Sequence, residues 1–228
     1  MKTKSAFSLV ELLVVIAIIA ILAAIIFPVL SSAKARANRT DCVNNLRQID
    51  TGLLMYAHDD ADTLPQLPDP DPYPNGAFCF YKELIKGYVG LSGPPRQGDK
   101  LFICPSETPS PTDGQISTAY IVDYTDYDFN GWLTGVRLTA IKYPSLTALG
   151  TEASAMIGYS WHQPQPKYDL VNNGPNAPPY LHAAYNNAMN EVSYPDGHIN
   201  YIKIYNDGMS CSMEYNPPAG YEYQWYGQ

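Results

Sequence analysis

The sequence predicts an α+β protein in which a long N-terminal helix, apolar in its first half and amphipathic in its second, packs on a small antiparallel β-sheet with long loops. Three observations carry this. Residues 7–30 form an apolar run whose one ionisable residue is Glu11. Beyond it, Cys42, Leu46, Ile49, Leu53 and Tyr56 recur at helical spacing. Near the C-terminus, two β-rich runs flank Pro195-Asp196-Gly197.

The apolar run comes first. As a helix rising about 1.5 Å per residue it spans roughly 36 Å, enough to cross a bilayer core of about 30 Å. Lys2 and Lys4 precede it and an acidic bulk follows, an asymmetry that places residues 1–6 in the cytoplasm and the rest outside. A secretory signal peptide has a shorter core ending at a small-residue cleavage site. Here the apolar core passes unbroken into a helical pattern, so the sequence predicts that it is kept. A carboxylate at Glu11 in apolar surroundings costs on the order of 2–3 kcal/mol, less near the interface, so a partner is expected for it. Without one, the side chain would snorkel to the headgroups of an ordinary anchor. Pro28 removes a helical hydrogen bond; it either loosens the helix or marks the end of the span.

These residues resemble a known family. Ala6-Phe7-Ser8-Leu9-Val10-Glu11 is similar to the class III signal of type IV pilins and type II secretion pseudopilins. The resemblance implies that a prepilin peptidase cuts between Ala6 and Phe7 and that Phe7 becomes the methylated first residue. Glu11 is then the fifth residue of the mature chain, neutralised by the N-terminal amine of a neighbouring subunit, and Pro28 matches the helix-bending proline of many pilins. Residues 1–6 are accordingly a leader and 7–30 a transmembrane and assembly helix. Residues 31–58 are its amphipathic continuation and 59–228 a pilin-like globular domain.

No Gly or Pro interrupts the chain between Pro28 and Gly52, so the helix is expected to run to about His58 and to be roughly 78 Å long. Asn44, Asn45, Arg47, Gln48 and Asp50 fall off its apolar stripe. Asp59-Asp60-Ala61-Asp62, followed by Pro65, is the stop signal.

From residue 59 to about 179, Pro-rich turns separate short strand-like runs at 100–104, 137–141, 146–151 and 156–161. Residues 191–194 and 198–205 read as a hairpin, because Asp196-Gly197 tolerates the positive φ of a tight turn. The segment from His182 to Asp196-Gly197 also resembles the His-to-Asp-Gly signature of prepilin-type processing-associated proteins. The intervening residues 183–195 number thirteen here, against nine in that group.

With 14 Lys and Arg against 22 Asp and Glu, the net charge is −8, and no basic patch interleaved with aromatics follows residue 50. Nucleic acid is therefore not an expected partner. Cys42, Cys79, Cys104 and Cys211 contain no C-x-x-C, which disfavours zinc or thioredoxin-like chemistry. Their even number fits disulfides in an oxidising compartment, with three pairings open. Residues 36–48 and Phe102-Ile103-Cys104-Pro105-Ser106 resemble two motifs of a large group of bacterial pseudopilin-like proteins. That resemblance implies Cys42–Cys104, leaving Cys79–Cys211.

His58, His162, His182 and His198 stand at no ligand or triad spacing, and no catalytic motif is present, so an enzyme, a cofactor and a metal are not expected. Asp126, Asp128 and Asn130 match the first half of a calcium-binding EF-hand loop, but Arg137 stands where the bidentate Glu belongs. The favoured reading is a tyrosine-rich turn whose Asn130-Gly131 closes a hairpin. The expected function is a structural subunit of a type IV pilus-like or type II secretion pseudopilus filament. Its expected partners are copies of itself, a prepilin peptidase and the inner-membrane assembly machinery. The precursor would be a single-pass inner-membrane protein and the assembled form a periplasmic or extracellular filament. The alternative is a membrane-tethered binding protein that does not polymerise and displays Tyr221-Glu222-Tyr223-Gln224-Trp225.

Overall fold

A computed structural model describes residues 9–66, 77–93, 96, 98–107, 125–157, 160–162, 188–205 and 216–226. The architecture is α+β: a long N-terminal helix packed with a four-stranded antiparallel sheet. The chain divides into two compact units, residues 1–38 and 39–228.

The first unit holds the apolar part of helix α1, which runs Leu9–Asp59 with Pro28 inside it. Its best 18-residue window has a mean hydropathy of 3.3. All its side chains from Leu9 to Leu30 are exposed except the half-buried Ala23. Serine follows the proline one turn on, and the Ser32 hydroxyl donates to the Pro28 carbonyl at 3.1 Å.

In the second unit, the rest of α1 lies against the sheet. Strands β1 (Tyr127–Phe129), β2 (Gly150–Glu152), β3 (Ala188–Ser193) and β4 (Ile199–Ile204) pair in that order, every neighbour antiparallel. Side chains alternate across a strand, so each register sorts residues between two faces. Phe129 lies opposite Gly150, Gly150 opposite Ser193, and Ser193 opposite Ile199; these face α1. Asp128, Thr151, Val192 and Asn200 line up on the other face.

The two faces carry two cores. On the helix side, Cys42, Leu46, Ile49, Leu53 and Ala57 of α1 bury against Phe102, Tyr127, Phe129 and Leu149. They also meet Tyr81 and Ile85 of helix α2 (Ala77–Ile85). Two glycines permit the approach. A Cβ at Gly52 would stand 2.7 Å from Val89 Cγ1, and one at Gly150 would meet Asp128 O and Ser193 Oγ at 3.3 Å and Leu46 Cδ1 at 3.6 Å. On the opposite side, Ala148, Val192, Tyr194, Ile202 and Ile204 bury with Tyr223 and Trp225.

Several elements differ from the sequence expectation. Helix α2 arises within a stretch read as sheet and loop. Residues 100–102 and 138–140, within two of the expected strands, form 3₁₀ turns, and a third such turn at 153–157 takes in the start of the run expected at 156–161. Only Gly150 and Thr151 of the run 146–151 enter a strand. Each of those runs is flanked within a few residues by Pro or Gly, leaving too little uninterrupted chain for a ladder. The stop after α1 lies at Asp59, and the turn uses Ala61 and Asp62 at φ 51° and 66°. Asp62 then accepts from Thr139 N at 3.1 Å, fixing the exit against residues 136–139.

The hairpin β3–β4 has the turn that Asp196-Gly197 implies. Gly197 takes φ 89°, its N–H donates to Tyr194 O at 2.9 Å, and the His198 ring stacks on Tyr194 with centroids 4.1 Å apart.

Asp50 corrects the stripe. It was placed off the apolar face, yet it is 4% exposed, and Ser193 Oγ donates to its Oδ1 at 2.8 Å. Its second oxygen, Oδ2, is buried without a hydrogen-bond partner. Burial pushes its pKa from 3.8 to about 8, opposed by the Ser193 hydrogen bond and the charge of Arg47. A folded pKa raised above the unfolded one means that the native state holds the proton where the unfolded chain releases it. Stability therefore falls as pH rises from about 4 to about 8, by at most about 1.4 kcal/mol per unit for this group. Asp50→Asn keeps the acceptor and removes the proton. In melts of the full chain in detergent, its advantage over the native sequence should grow from pH 5 to pH 8; parallel curves would contradict the assignment.

Candidate functional site

The apolar helix offers one set of functional groups. Glu11 lies in the first turn of α1 and Pro28 lies within the helix. Acidic charge near a helix N-terminus is favoured by the positive end of the peptide dipoles. Ala6 and Phe7, the expected processing pair, lie outside the described residues.

A second set gathers where α1 meets the sheet. Cys42, on the apolar stripe, is bridged to Cys104, with Cα atoms 5.2 Å apart across 62 residues of sequence. Both are buried. The Cys79 side chain and Cys211 lie outside the described residues, so the pairing expected for them is not placed. Beside the bridge, Glu152 at the end of β2 lies with Oε1 3.7 Å from Cys104 Sγ and 2.6 Å from His162 Nε2. The Glu152 and His162 side chains are 0% and 1% exposed. The Glu191 amide donates to the other carboxylate oxygen, Oε2, at 3.3 Å.

One turn before Cys42, Arg39 reaches the same patch. Its Nε donates to Glu191 Oε1 at 2.6 Å, and its guanidinium lies 3.6 Å over the Tyr201 ring. Burial raises the Glu191 pKa while Arg39 opposes the rise, and Tyr201 also meets His162 edge-on. Arg39, Cys42, Leu46, Ile49, Asp50 and Leu53 thus form one helix face that is both apolar and charged. The 46, 50, 53, 57 spacing places Asp50 on this face as well as the apolar spacing places Ile49. His162 gave no such signal, because its partner Glu152 is a strand residue whose neighbours are set by tertiary pairing.

The EF-hand-like segment is part of the sheet. Asp128 is in β1, and Asp126 and Asn130 flank it. Asp126 Oδ2 accepts from Cys104 N at 2.8 Å, and Asn130 Nδ2 donates to Ala148 O and Trp225 O. Asn130-Gly131 does not close a hairpin: β1 pairs with β2, and Asn130 caps the 3₁₀ turn Gly131–Leu133, accepting from Trp132 N. Both Asp128 carboxylate oxygens are buried without a hydrogen-bond partner, and burial together with Asp126 raises its pKa to about 8. Asp126 and Asn130 are engaged with backbone groups of Cys104, Ala148 and Trp225, where an EF-hand loop would turn them toward the ion. His58 and His198 sit beside Asp59 and Asp196 at the surface, and His182 lies outside the described residues.

Of the aromatic tail, Tyr223 and Trp225 are buried in the second core and Tyr221 packs against it. Trp132 and Tyr226 are exposed and lie together, with ring centroids 5.1 Å apart.

Residues 1–27 match a family model, the prokaryotic N-terminal methylation motif, which is the prepilin-type signal of type IV pilins and pseudopilins. No curated protein and no solved structure matches the chain. The motif and the apolar helix support a type IV pilin-like or pseudopilin-like precursor that is membrane-anchored, and the motif implies processing by a prepilin peptidase.

Removing Arg39 would leave the buried Glu191 without its hydrogen-bonded cation. Arg39→Ala should cost about 1–3 kcal/mol, reduced from a fully buried pair because Arg39 is 40% exposed. Arg39→Lys should recover only part of this, since an ammonium lacks the planar stack on Tyr201. Thermal melts of the full chain at pH 7 read both; an unchanged Arg39→Ala melting temperature would contradict the pairing.

Proposed function

We propose that this chain is a structural subunit of a type IV pilus-like or type II secretion pseudopilus filament, matured between Ala6 and Phe7. The single observation that carries the reading is the methylation motif at residues 1–27, most of which is the apolar start of helix α1. The proposed division is a leader at 1–6, an assembly helix at 7–30, its amphipathic continuation at 31–58 and an outward globular domain at 59–228.

The proposed mechanism rests on Glu11. While the precursor is in the membrane, lipid satisfies the aliphatic side chains equally well in a lone helix and in a packed one. A neighbouring subunit adds something lipid lacks, the free amine of Phe7 created by processing. Charge pairing between that amine and Glu11 sets the register of packed helices. Pro28 and the Ser32 hydroxyl supply a point at which the helix adapts to its neighbours. The role is structural and not catalytic, with copies of itself and the inner-membrane assembly machinery as partners.

A tethered, non-polymerising binding protein is the competing reading, and the exposed Trp132–Tyr226 pair is what favours it. The two part at Glu11. Glu11→Ala should lower the sedimentable filament at least tenfold while the membrane-bound precursor stays at its normal level. Filaments at the normal level would contradict the proposed mechanism. Abundant surface fibres of this chain would indicate a pilus, and loss of export of other proteins in a deletion strain would indicate a pseudopilus.

A further inference from the structure

The buried cluster beside the disulfide has a composition that structural needs do not explain. Burying a carboxylate against an imidazole recovers little more than its desolvation cost, and an apolar pair of the same volume would serve the core as well. Glu152 and His162 nonetheless sit together with both side chains enclosed, Glu152 against the cystine and His162 with a ring nitrogen within 4.8 Å of its sulfurs. We propose that Cys42, Cys104, Glu152 and His162 form a zinc site that alternates with the disulfide: closed while the cysteines are bridged, occupied by one ion when they are thiols.

The geometry supports four-coordination. One ligand atom from each residue lies within 4.8 Å of every other, and tetrahedral zinc asks for ligand atoms about 3.3–3.8 Å apart. The rearrangement is therefore small, apart from parting the two sulfurs. Two thiolates with an imidazole select zinc over calcium or magnesium, which prefer oxygen alone. The surrounding residues already orient the ligands. The Glu191 amide holds Glu152 Oε2, leaving Oε1 turned toward His162 and Cys104. The Ser160 hydroxyl accepts from the His162 amide at 3.2 Å, and Tyr201 sets the ring edge-on. Two thiolates, one carboxylate and Zn²⁺ sum to −1, and the neighbouring Arg39–Glu191 ion pair adds no net charge to that. The ligands come from α1, the segment after a 3₁₀ turn, β2 and residue 162, so no sequence spacing announces the set.

The exchange balances. A dithiol reductant transfers two electrons and two protons to the cystine, giving two cysteine thiols and its own disulfide. Zn²⁺ then displaces both thiol protons and binds the two thiolates, one Glu152 oxygen and a ring nitrogen of His162. A disulfide oxidant reverses the sequence: it takes two electrons from the thiolates and two protons from water to become a dithiol, the cystine re-forms, and the ion is released because cystine sulfur is no longer an anionic ligand.

The test uses the full chain in detergent, with or without phosphine reduction, and zinc chloride as the probe, competed against a chromophoric chelator. The reduced chain should bind one zinc at least 100-fold more tightly than the oxidised chain. Cobalt(II) in its place should show the thiolate charge-transfer and intense ligand-field bands of a tetrahedral site. His162→Ala and Glu152→Gln should each weaken binding at least tenfold; the second is isosteric and keeps the neighbouring packing. Absence of zinc uptake by the reduced chain overturns the proposal. So does uptake that both variants leave unchanged, which would place the ion on thiols elsewhere in the chain.

Discussion

An apolar helical surface that the described residues leave exposed is the constraint from which the other features follow. Sixteen large aliphatic and aromatic side chains between Leu9 and Leu30 are exposed. At about 1.5–3 kcal/mol for each such side chain hidden from water, leaving them wet would cost tens of kcal/mol, several times the stability of a typical domain. The partner must therefore be lipid or other apolar helices. Those two environments are nearly equivalent for Leu, Ile and Val, so the apolar surface alone does not distinguish an anchor from an assembly element. The distinction falls to the polar groups within it, and Glu11 is the ionisable one.

The same helix meets a different neighbour past residue 38. There its buried face is mixed: Leu46, Ile49 and Leu53 provide apolar area, Cys42 a covalent tie, and Arg39 and Asp50 polar contacts with Glu191 and Ser193 of β3. Apolar packing tolerates rotation of a helix about its axis; a bridge at one end with an arginine pair and a serine hydrogen bond does not. The polar contacts define the seating of α1 on the sheet, while the apolar ones provide most of the stabilisation.

Much of this was legible in the chain. The apolar helix, its run past Pro28, the stripe and the Asp196-Gly197 hairpin all rest on local chemistry, which sequence reports well. Three kinds of feature were not legible. Helix α2 lies between Pro-rich segments, and its Phe-Cys-Phe-Tyr run has no clear helical period. Strands β1 and β2 are three residues each, too short for a period and held by pairing with distant chain. The polar cluster around Glu152 and His162 joins residues whose proximity is wholly tertiary. Asp50 is a different case: its spacing fits the buried face, and its charge argued it outward. Burial that raises its pKa reconciles the two, because the neutral form loses less than the charged one on leaving water.

The helix has a place in a filament only if it survives export with its new amine in place, and the N-terminal peptide of the exported protein tests this most directly. Mass spectrometry of that peptide should find a chain beginning at Phe7 and carrying one methyl group on its amine. A mature chain beginning beyond Leu30 would mean that the apolar helix is discarded, and would contradict the account.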